Sequence, residues 1–296
     1  MIEVRNLTKR YGSVLAVDDL TFEARPGRVT GFLGPNGAGK TTTLRVLVSL
    51  LHPTSGDATI LGRHYTELEQ PAKQVGAILE ANAFHPGRTG RNHLRSLARA
   101  SAIDEGRVAE MLALVDLTAA ADRRVKGYSL GMKQRLALAG ALLGDPRVLV
   151  LDEPANGLDP QGIRWLRDLL RALADQGRTV LVSSHVLAEV AQLADDVVII
   201  AKGRSVAQAS VAEVLATSRR ATRARSPQRD ALLNALRADG VDAEPFADDG
   251  VMVDVDAARV GEIAAGARVV LHELTAESAT LEDVFLELTR GAEHPA

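Results

Sequence analysis

The sequence of 296 residues lacks cysteine, a strong excess of charge of either sign, and any long apolar run. Without cysteine there is neither a disulfide nor a thiolate metal site. The net charge of −3 gives no electrostatic reason to expect nucleic acid as the main partner. The N-terminus has no apolar signal-peptide segment, and no stretch approaches the roughly 18–20 apolar residues that a membrane-spanning helix needs. We therefore expect a soluble chain that reaches a membrane only through a partner.

The composition is that of an ordinary globular protein, with 46% hydrophobic and 25% charged residues. The length is sufficient for one large domain and one small domain. Short β-like runs around a turn predict a small antiparallel sheet in residues 1–25. Residues 90–145 are rich in Leu, Ala and Arg at helical spacing and predict an inserted all-helical subdomain.

The most informative stretch is GPNGAGKTT at residues 34–42. It follows an apolar run at residues 29–33 that predicts a buried strand, and it leads into residues 42–51, whose apolar positions have helical spacing. Glycines let backbone N–H groups curl around oxyanions, and the helix N-terminus adds partial positive charge. The alternative is a Gly-rich turn that binds nothing. The context favours a nucleoside triphosphate site contacted by Gly34, Asn36, Gly37, Ala38, Gly39, Lys40, Thr41 and Thr42.

Two residues of this loop have predicted chemical roles. Lys40 is expected to neutralise the β- and γ-phosphates, and Thr41 is expected to offer its hydroxyl to Mg²⁺.

Adjacent carboxylates follow a second apolar run, VLVL at residues 148–151. Asp152 and Glu153 at the end of a buried strand are electrostatically costly unless a cation shares the site. We expect Asp152 to reach Mg²⁺ bound to the phosphates and Glu153 to take a proton from an attacking water. The alternative is a solvated strand end without a catalytic role.

Other strand ends and turns carry further candidates. The run at residues 179–184 ends at His185, which is interpreted as a γ-phosphate contact in preference to a structural histidine. Glu80 follows the strand-like residues 75–79, at a position where catalytic groups commonly sit in open α/β sheets. Tyr11 precedes a glycine turn and is either a turn aromatic or a ring that stacks on adenine. Ser129 predicts an N-cap, which by itself indicates only a capped helix.

In this order the motifs resemble the ATP-binding subunits of ABC transporters, over residues 1 to about 220. The resemblance rests on the phosphate loop, the signature-like SLGMKQR at residues 129–135, the strand ending in Glu153, the loop with Asp159, and His185. It implies an α/β fold: a P-loop ATPase core at residues 1–218 with an antiparallel β subdomain and a helical subdomain at about residues 90–145.

The resemblance also implies a head-to-tail dimer that encloses two ATP molecules with Mg²⁺. Each ATP would lie on the phosphate loop of one subunit and under Ser129 and Gly131 of the other. Asp159 would couple the two sites, Tyr11 would stack on adenine and His185 would be the switch histidine. Water positioned by Glu153 would attack in line, with Lys40 and the partner signature absorbing charge.

The sequence departs from the family pattern at two places. The signature has SLGM where the family more often has SGGQ, although the serine and the second glycine remain. Glu80 stands at a position where the family has glutamine. We expect Glu80 to be functional, in catalysis and as a ligand of Mg²⁺ or water.

A small α+β module without a catalytic constellation is predicted at residues 227–296, with a strand at residues 269–274 and a capping box at residues 280–283 that begins its last helix. The basic stretch RRATRARS at residues 219–226 is predicted to be a linker, either a solvated tether or a contact for anionic lipid or RNA. The resemblance to antibiotic- and multidrug-exporter subunits suggests a regulatory or dimer-stabilising role for the module.

The sequence therefore predicts an ATPase that powers an exporter of a drug, antibiotic or lipid-like substrate. The membrane-spanning subunit would be a separate polypeptide, and the chain would lie on the cytoplasmic face of the membrane. The alternative is a soluble ABC-type ATPase that acts on the ribosome or DNA. A catalytically inactive regulatory protein is opposed by the presence of both Glu153 and His185.

Overall fold

The computed structural model describes residues 1–79, 84–217, 221–277, 281–282 and 284–285. The chain divides into a larger unit that includes Met1–Val211 and a smaller unit, Ala212–Glu287. The boundary expected after residue 218 therefore lies further along the chain than the observed division. Within the described part of the chain, none of the helices is long and apolar enough to cross a bilayer.

The larger unit contains two sheets. Their strands are β1 (Ile2–Tyr11), β2 (Val14–Ala24), β3 (Arg28–Leu33), β4 (Ser55–Ile60), β5 (Val75–Ile78), β6 (Val148–Asp152), β7 (Thr179–Ser184), β8 (Asp196–Ala201) and β9 (Arg204–Ser210). A three-stranded sheet has the order β2-β1-β4, and its pairs are antiparallel. The other sheet has the order β5-β6-β7-β3-β8-β9, parallel except for the β8–β9 hairpin. The predicted α/β core and antiparallel subdomain are thus confirmed.

The helices of the larger unit connect these strands. They are α1 (Lys40–Leu47), α2 (Gly90–Ala100), α3 (Gly106–Leu114), α4 (Leu130–Leu142), α5 (Pro160–Asp175), α6 (Leu187–Leu193) and α7 (Val211–Thr217), the last of which runs into the smaller unit. Helices α2, α3 and α4 follow β5 and precede β6 along the chain, in the segment predicted to be helical, and they pack on one another. Thr89 caps α2 by accepting a hydrogen bond from the Asn92 N–H.

The core of the larger unit lies between the two sheets. Phe32 of β3 is fully buried, and its ring stacks on Phe22 of β2 with centroids 5.0 Å apart. Strands β6 and β7 in the middle of the central sheet are buried on both faces, which explains why their sequences contain continuous apolar runs without alternation. This packing holds β3, and therefore the loop that follows it, against the antiparallel sheet.

Replacing Phe32 by alanine is expected to lower the free energy of unfolding by about 3–5 kcal/mol, because it removes a ring from a close-packed core and leaves a cavity. The measurement is denaturant unfolding followed by the fluorescence of Trp165, the single tryptophan of the chain, which lies in the larger unit. Val14→Ala is the control, since Val14 is 62% exposed; its effect should stay within about 0.5 kcal/mol. Equal losses for both variants would contradict this assignment of the core.

The smaller unit has the strand–helix order β-α-β-β-α-β of ferredoxin-like domains. Its elements are β10 (Ala221–Arg225), α8 (Arg229–Ala238), β11 (Ala243–Phe246), β12 (Gly250–Val253), α9 (Ala257–Gly266) and β13 (Glu273–Glu277). The sheet is antiparallel with the order β11-β12-β10-β13. Ala224, Val251 and Val253 on one face pack with the helix residues Leu232, Leu236 and Val260.

The prediction of a linker at residues 219–226 is wrong for β10, which is a central strand. Thr222 and Ala224 point into the core, whereas Arg223 and Arg225 point away from it and pair with Glu273 and Asp249. The alternation was present in the sequence, but small inward residues between arginines resemble a solvated basic run. The strand expected at residues 269–274 is also displaced, to β13. The predicted capping box of the last helix includes Thr280 and Asp283, which lie outside the described residues.

Candidate active site

The strand order of the central sheet brings the predicted site residues to one edge. Because β7 lies between β6 and β3 and all three are parallel, their carboxyl ends are neighbours. Asp152 at the end of β6 pairs in register with Ser183 of β7, and Ser184 pairs with Leu33 at the end of β3. Polar groups that are far apart in sequence therefore meet where β3 opens into the phosphate loop.

The phosphate loop joins β3 to α1 and bounds a cavity of about 240 Å³. Gly39 has a φ of 104°, in the left-handed region, and a Cβ there would lie 2.5 Å from the carbonyl oxygen of Ala16. Only glycine fits this position, since a side chain would be both strained and in collision with β2. The cavity is lined by Ala16, Pro35, Asn36, Gly37, Gly39, Lys40, Thr41, Thr42 and Glu153.

Lys40 is the buried cation of this site. It is 7% exposed, and its Nζ donates a hydrogen bond of 2.6 Å to the carbonyl oxygen of Gly34. Nζ also lies 3.8 Å from Oε1 of Glu153. Burial lowers the pKa of Lys40 below its ordinary value, while the carboxylates of Glu153 and Asp152 act in the opposite direction. The ammonium group is thus held between the loop and the two carboxylates.

Two hydroxyl groups flank Asp152. Thr41 donates a hydrogen bond of 2.7 Å to Oδ2 of Asp152, and the Ser183 hydroxyl donates to Oδ1. The Thr41 hydroxyl and the Asp152 carboxylate are hard oxygen ligands on adjacent elements, of the kind that Mg²⁺ prefers. Two of the three residues predicted to hold the metal, Thr41 and Asp152, are therefore in direct contact.

Glu153 adopts an unusual backbone conformation. Its φ is 49°, in the left-handed region, which a non-glycine residue occupies at an energetic cost. Its N–H faces the carbonyl oxygen and Oγ of Ser183, at 3.2 and 3.0 Å. Oε2 lies 2.9 Å from Nδ1 of His185. The predicted base and the predicted switch histidine are therefore in contact, beside Lys40.

Behind Glu153 lies a second and more apolar cavity of about 310 Å³, between α5, β7 and α6. Glu189 of α6 lines it together with Glu153. Burial, aided by the charge of Glu153, raises the pKa of Glu189. This cavity does not include the phosphate loop, so it is not the nucleotide site.

Two of the predicted site residues, Ser129 and Asp159, cap the N-termini of helices α4 and α5. Oγ of Ser129 accepts a hydrogen bond of 3.2 Å from the Met132 N–H, at the start of α4. Oδ1 of Asp159 accepts one of 2.8 Å from the Gly162 N–H, at the start of α5. Among the described residues that line the phosphate-loop cavity, neither Ser129 nor Gly131 occurs. One chain therefore does not bring its own signature to its own loop.

Tyr11 and Glu80 stand apart from this cluster. Tyr11 ends β1, is 44% exposed and has Lys9 Nζ 5.2 Å from its ring centroid. Its place at the β1–β2 turn fits both a turn aromatic and a ring that stacks on adenine, so stacking on adenine stays a prediction. Glu80 lies outside the described residues, so its predicted roles in catalysis and metal binding stay predictions.

Sequence reasoning assigned no role to Ser183 or to Gln134, although both contact Glu153. Ser183 holds the N–H of Glu153 and binds Asp152, whereas the Gln134 amide donates to the Glu153 carbonyl oxygen at 3.4 Å. The register between β6 and β7 would have identified Ser183, because it places Ser183 opposite Asp152. Gln134 lies in the signature-like stretch, but nothing in the sequence indicated its contact with Glu153, since a glutamine within a helix is usually exposed.

Comparison with known proteins adds the family. The family model described as ABC transporter matches residues 17–156. The ABC transporter ATP-binding protein YdbJ of Bacillus subtilis is 38% identical over 295 residues, which cover 98% of this chain and 95% of YdbJ. The chain belongs to the ATP-binding subunits of ABC transporters. It is therefore an ABC-type ATPase, and its nucleotide is ATP.

Two further likenesses bear on this ABC subunit. The bacitracin transport ATP-binding protein BcrA of Bacillus licheniformis is 42% identical over 69% of this chain and 68% of BcrA. A solved ATP-binding subunit of an ABC transporter, 29% identical, superposes with a TM-score of 0.67 over 72% of this chain and 91% of its own. Residues 220–282 match a separate family, a domain of unknown function named DUF8746.

Proposed function

We propose that this ABC subunit powers an exporter through a separate membrane-spanning polypeptide, with a drug, antibiotic or lipid-like molecule as the transported substrate. The observation that carries the ATPase part is the contact of Glu153 with both His185 and Lys40 beside the phosphate loop. The exporter part rests on the likeness to BcrA, whose name assigns it to bacitracin transport. The absence of a spanning helix in the described residues fits a division of labour between two polypeptides.

The mechanism follows from where each side chain lies. The loop backbone and the start of α1 bind the phosphates. Lys40 then donates to the phosphate oxygens in place of the carbonyl oxygen of Gly34. Thr41 and Asp152 would hold Mg²⁺, which would supply positive charge next to the phosphates. Glu153 accepts the proton of the attacking water. His185 fixes the Glu153 carboxylate and contacts the γ-phosphate.

A second copy of the chain completes the site in this proposal. Ser129 and Gly131 lie at the N-terminus of α4, outside the cavity of their own chain, and a helix N-terminus suits an anion. Leu130 at the start of α4 is 48% exposed, and Val186, which follows His185, is 37% exposed. Burial of such residues against a second subunit would place the signature over the ATP of the partner and use Asp159 to couple the sites. We place the complex on the cytoplasmic face of the membrane.

The experiment that tests the exporter assignment is affinity purification of the tagged chain from gently solubilised membranes. We expect an integral membrane protein to be recovered in near-equal amount, because the proposed function requires a spanning subunit. Recovery of the Lys40→Met variant with the same partner would show that the association does not depend on hydrolysis. Recovery of ribosomal components, or of no membrane protein, would favour the soluble ATPase instead.

A further inference from the structure

Gln134 of α4 makes a contact that the proposed mechanism does not use. It is 2% exposed, and its Nε2 lies 3.4 Å from the carbonyl oxygen of Glu153. The space around its side chain is too small for a water molecule and is otherwise lined by Ile78, Arg135, Leu138, Pro154, Leu158, Trp165 and Leu166. The amide is therefore enclosed, with the Glu153 carbonyl in front of its nitrogen.

The other end of this amide has no partner. Within the described part of the chain, no donor reaches the buried Oε1 of Gln134. A buried acceptor without a donor costs free energy that an apolar side chain of the same shape would avoid. Packing alone therefore does not account for glutamine at this position. The one interaction that distinguishes glutamine from methionine or leucine is the hydrogen bond to Glu153.

The carbonyl that receives this bond belongs to the strained residue of the site. With its φ of 49°, Glu153 needs its backbone held from both sides. Ser183 of β7 holds the N–H of Glu153, and Gln134 of α4 holds its carbonyl oxygen. Rotation of this backbone would turn the carboxylate away from His185 and Lys40. The hydrogen bond from Gln134 thus helps to fix the direction of the side chain.

Helix α4 is also the helix that begins at the signature. Its first residue, Leu130, packs on the loop that follows Glu153: a Cβ on Gly157 would lie 2.3 Å from Leu130 Cγ. A Cβ on Gly131 would lie 3.0 Å from the Gly157 carbonyl oxygen. The signature and the Glu153 loop of one chain therefore touch at Leu130–Gly157 and at Gln134–Glu153.

We propose that Gln134 is a positioning residue, which sets the backbone of Glu153 and ties it to the helix that carries the signature. The inference rests on the proposed role of Glu153 as the base. In the dimer, the ATP of the partner, bound at Ser129, would act through α4 on Glu153 of this subunit. The atypical Leu130 strengthens the same connection, because its side chain fills the space over Gly157.

Gln134→Met tests this inference, since it keeps the volume and removes the donor. We expect kcat for ATP hydrolysis to fall about 3- to 10-fold, the value of one hydrogen bond, with the KM for ATP within about twofold. Gln134→Asn keeps the amide but is one methylene too short to reach, and it should lose activity similarly. Leu136→Met is the control, because Leu136 is buried in the same helix but on another face; it should retain wild-type kcat.

A double-mutant cycle separates positioning from a general structural effect. If Gln134 acts through Glu153, then Gln134→Met should cause no further loss in a Glu153→Gln background. An equal loss in both backgrounds, or a wild-type kcat for both Gln134 variants, would overturn the inference. If Glu153→Gln itself keeps full turnover, the proposed base is wrong and the inference fails with it. If Glu153→Gln loses turnover while both Gln134 variants keep the wild-type kcat, the inference is overturned and the assignment of Glu153 as the base stands.

Discussion

Glu153→Gln is expected to lower ATP hydrolysis by about 10²–10⁴-fold, which is the usual contribution of a general base. The amide keeps the shape of the side chain and can still contact Nδ1 of His185, but it cannot accept the proton of water. Because Lys40, Thr41 and the loop are untouched, ATP should still bind. The measurement is steady-state phosphate release, together with the oligomeric state in the presence of ATP.

A dimer that persists with ATP should therefore accumulate in Glu153→Gln. Glu110→Gln is the matched control, because the Glu110 side chain is 60% exposed on α3 and, among the residues that the structure describes, pairs only with Arg107. An exposed pair of this kind contributes little, so its loss should leave turnover unchanged. Wild-type turnover in Glu153→Gln would mean that another group accepts the proton, and His185 would be the next to examine.

Lys40→Met is expected to reduce ATP hydrolysis by about 10²–10³-fold, because removal of one preorganised donor that stabilises a transition state usually costs this much. It should also weaken ATP binding, in contrast to Glu153→Gln, because the ammonium group contacts the phosphates before the reaction. Methionine has nearly the length of lysine and suits a position that is 7% exposed. The fold should therefore survive. Equilibrium binding of a fluorescent ATP analogue and phosphate release measure the two effects separately.

The matched control for this variant is Lys73→Met, a lysine on a short 3-10 turn before β5. It lies outside the residues that line the phosphate-loop cavity, so binding and turnover should equal those of the wild type. If Lys40→Met bound ATP with unchanged affinity and hydrolysed it normally, the cavity over residues 34–42 would not be the nucleotide site.

Local sequence patterns predicted the elements of the larger unit well, because these elements have strong local signals. The strand–loop–helix at residues 29–51 and the acidic end of β6 each combine an apolar run with an abrupt change to polar residues. The β10 strand was missed for the opposite reason. Its inward side chains, Thr222 and Ala224, are small, and the arginines between them dominate the composition. A strand whose burial depends on neighbouring strands has no strong signal of its own.

The sequence by itself determined which chemical groups are available: a phosphate loop with Lys40 and Thr41, the carboxylates Asp152 and Glu153, and His185. Those predictions depended only on residue type and on short-range spacing. The tertiary structure alone decided which groups touch. Contacts of Ser183 and Gln134 with Glu153 arise from strand order, from register and from the packing of α4. These are set by burial across long distances in sequence, which local patterns do not encode.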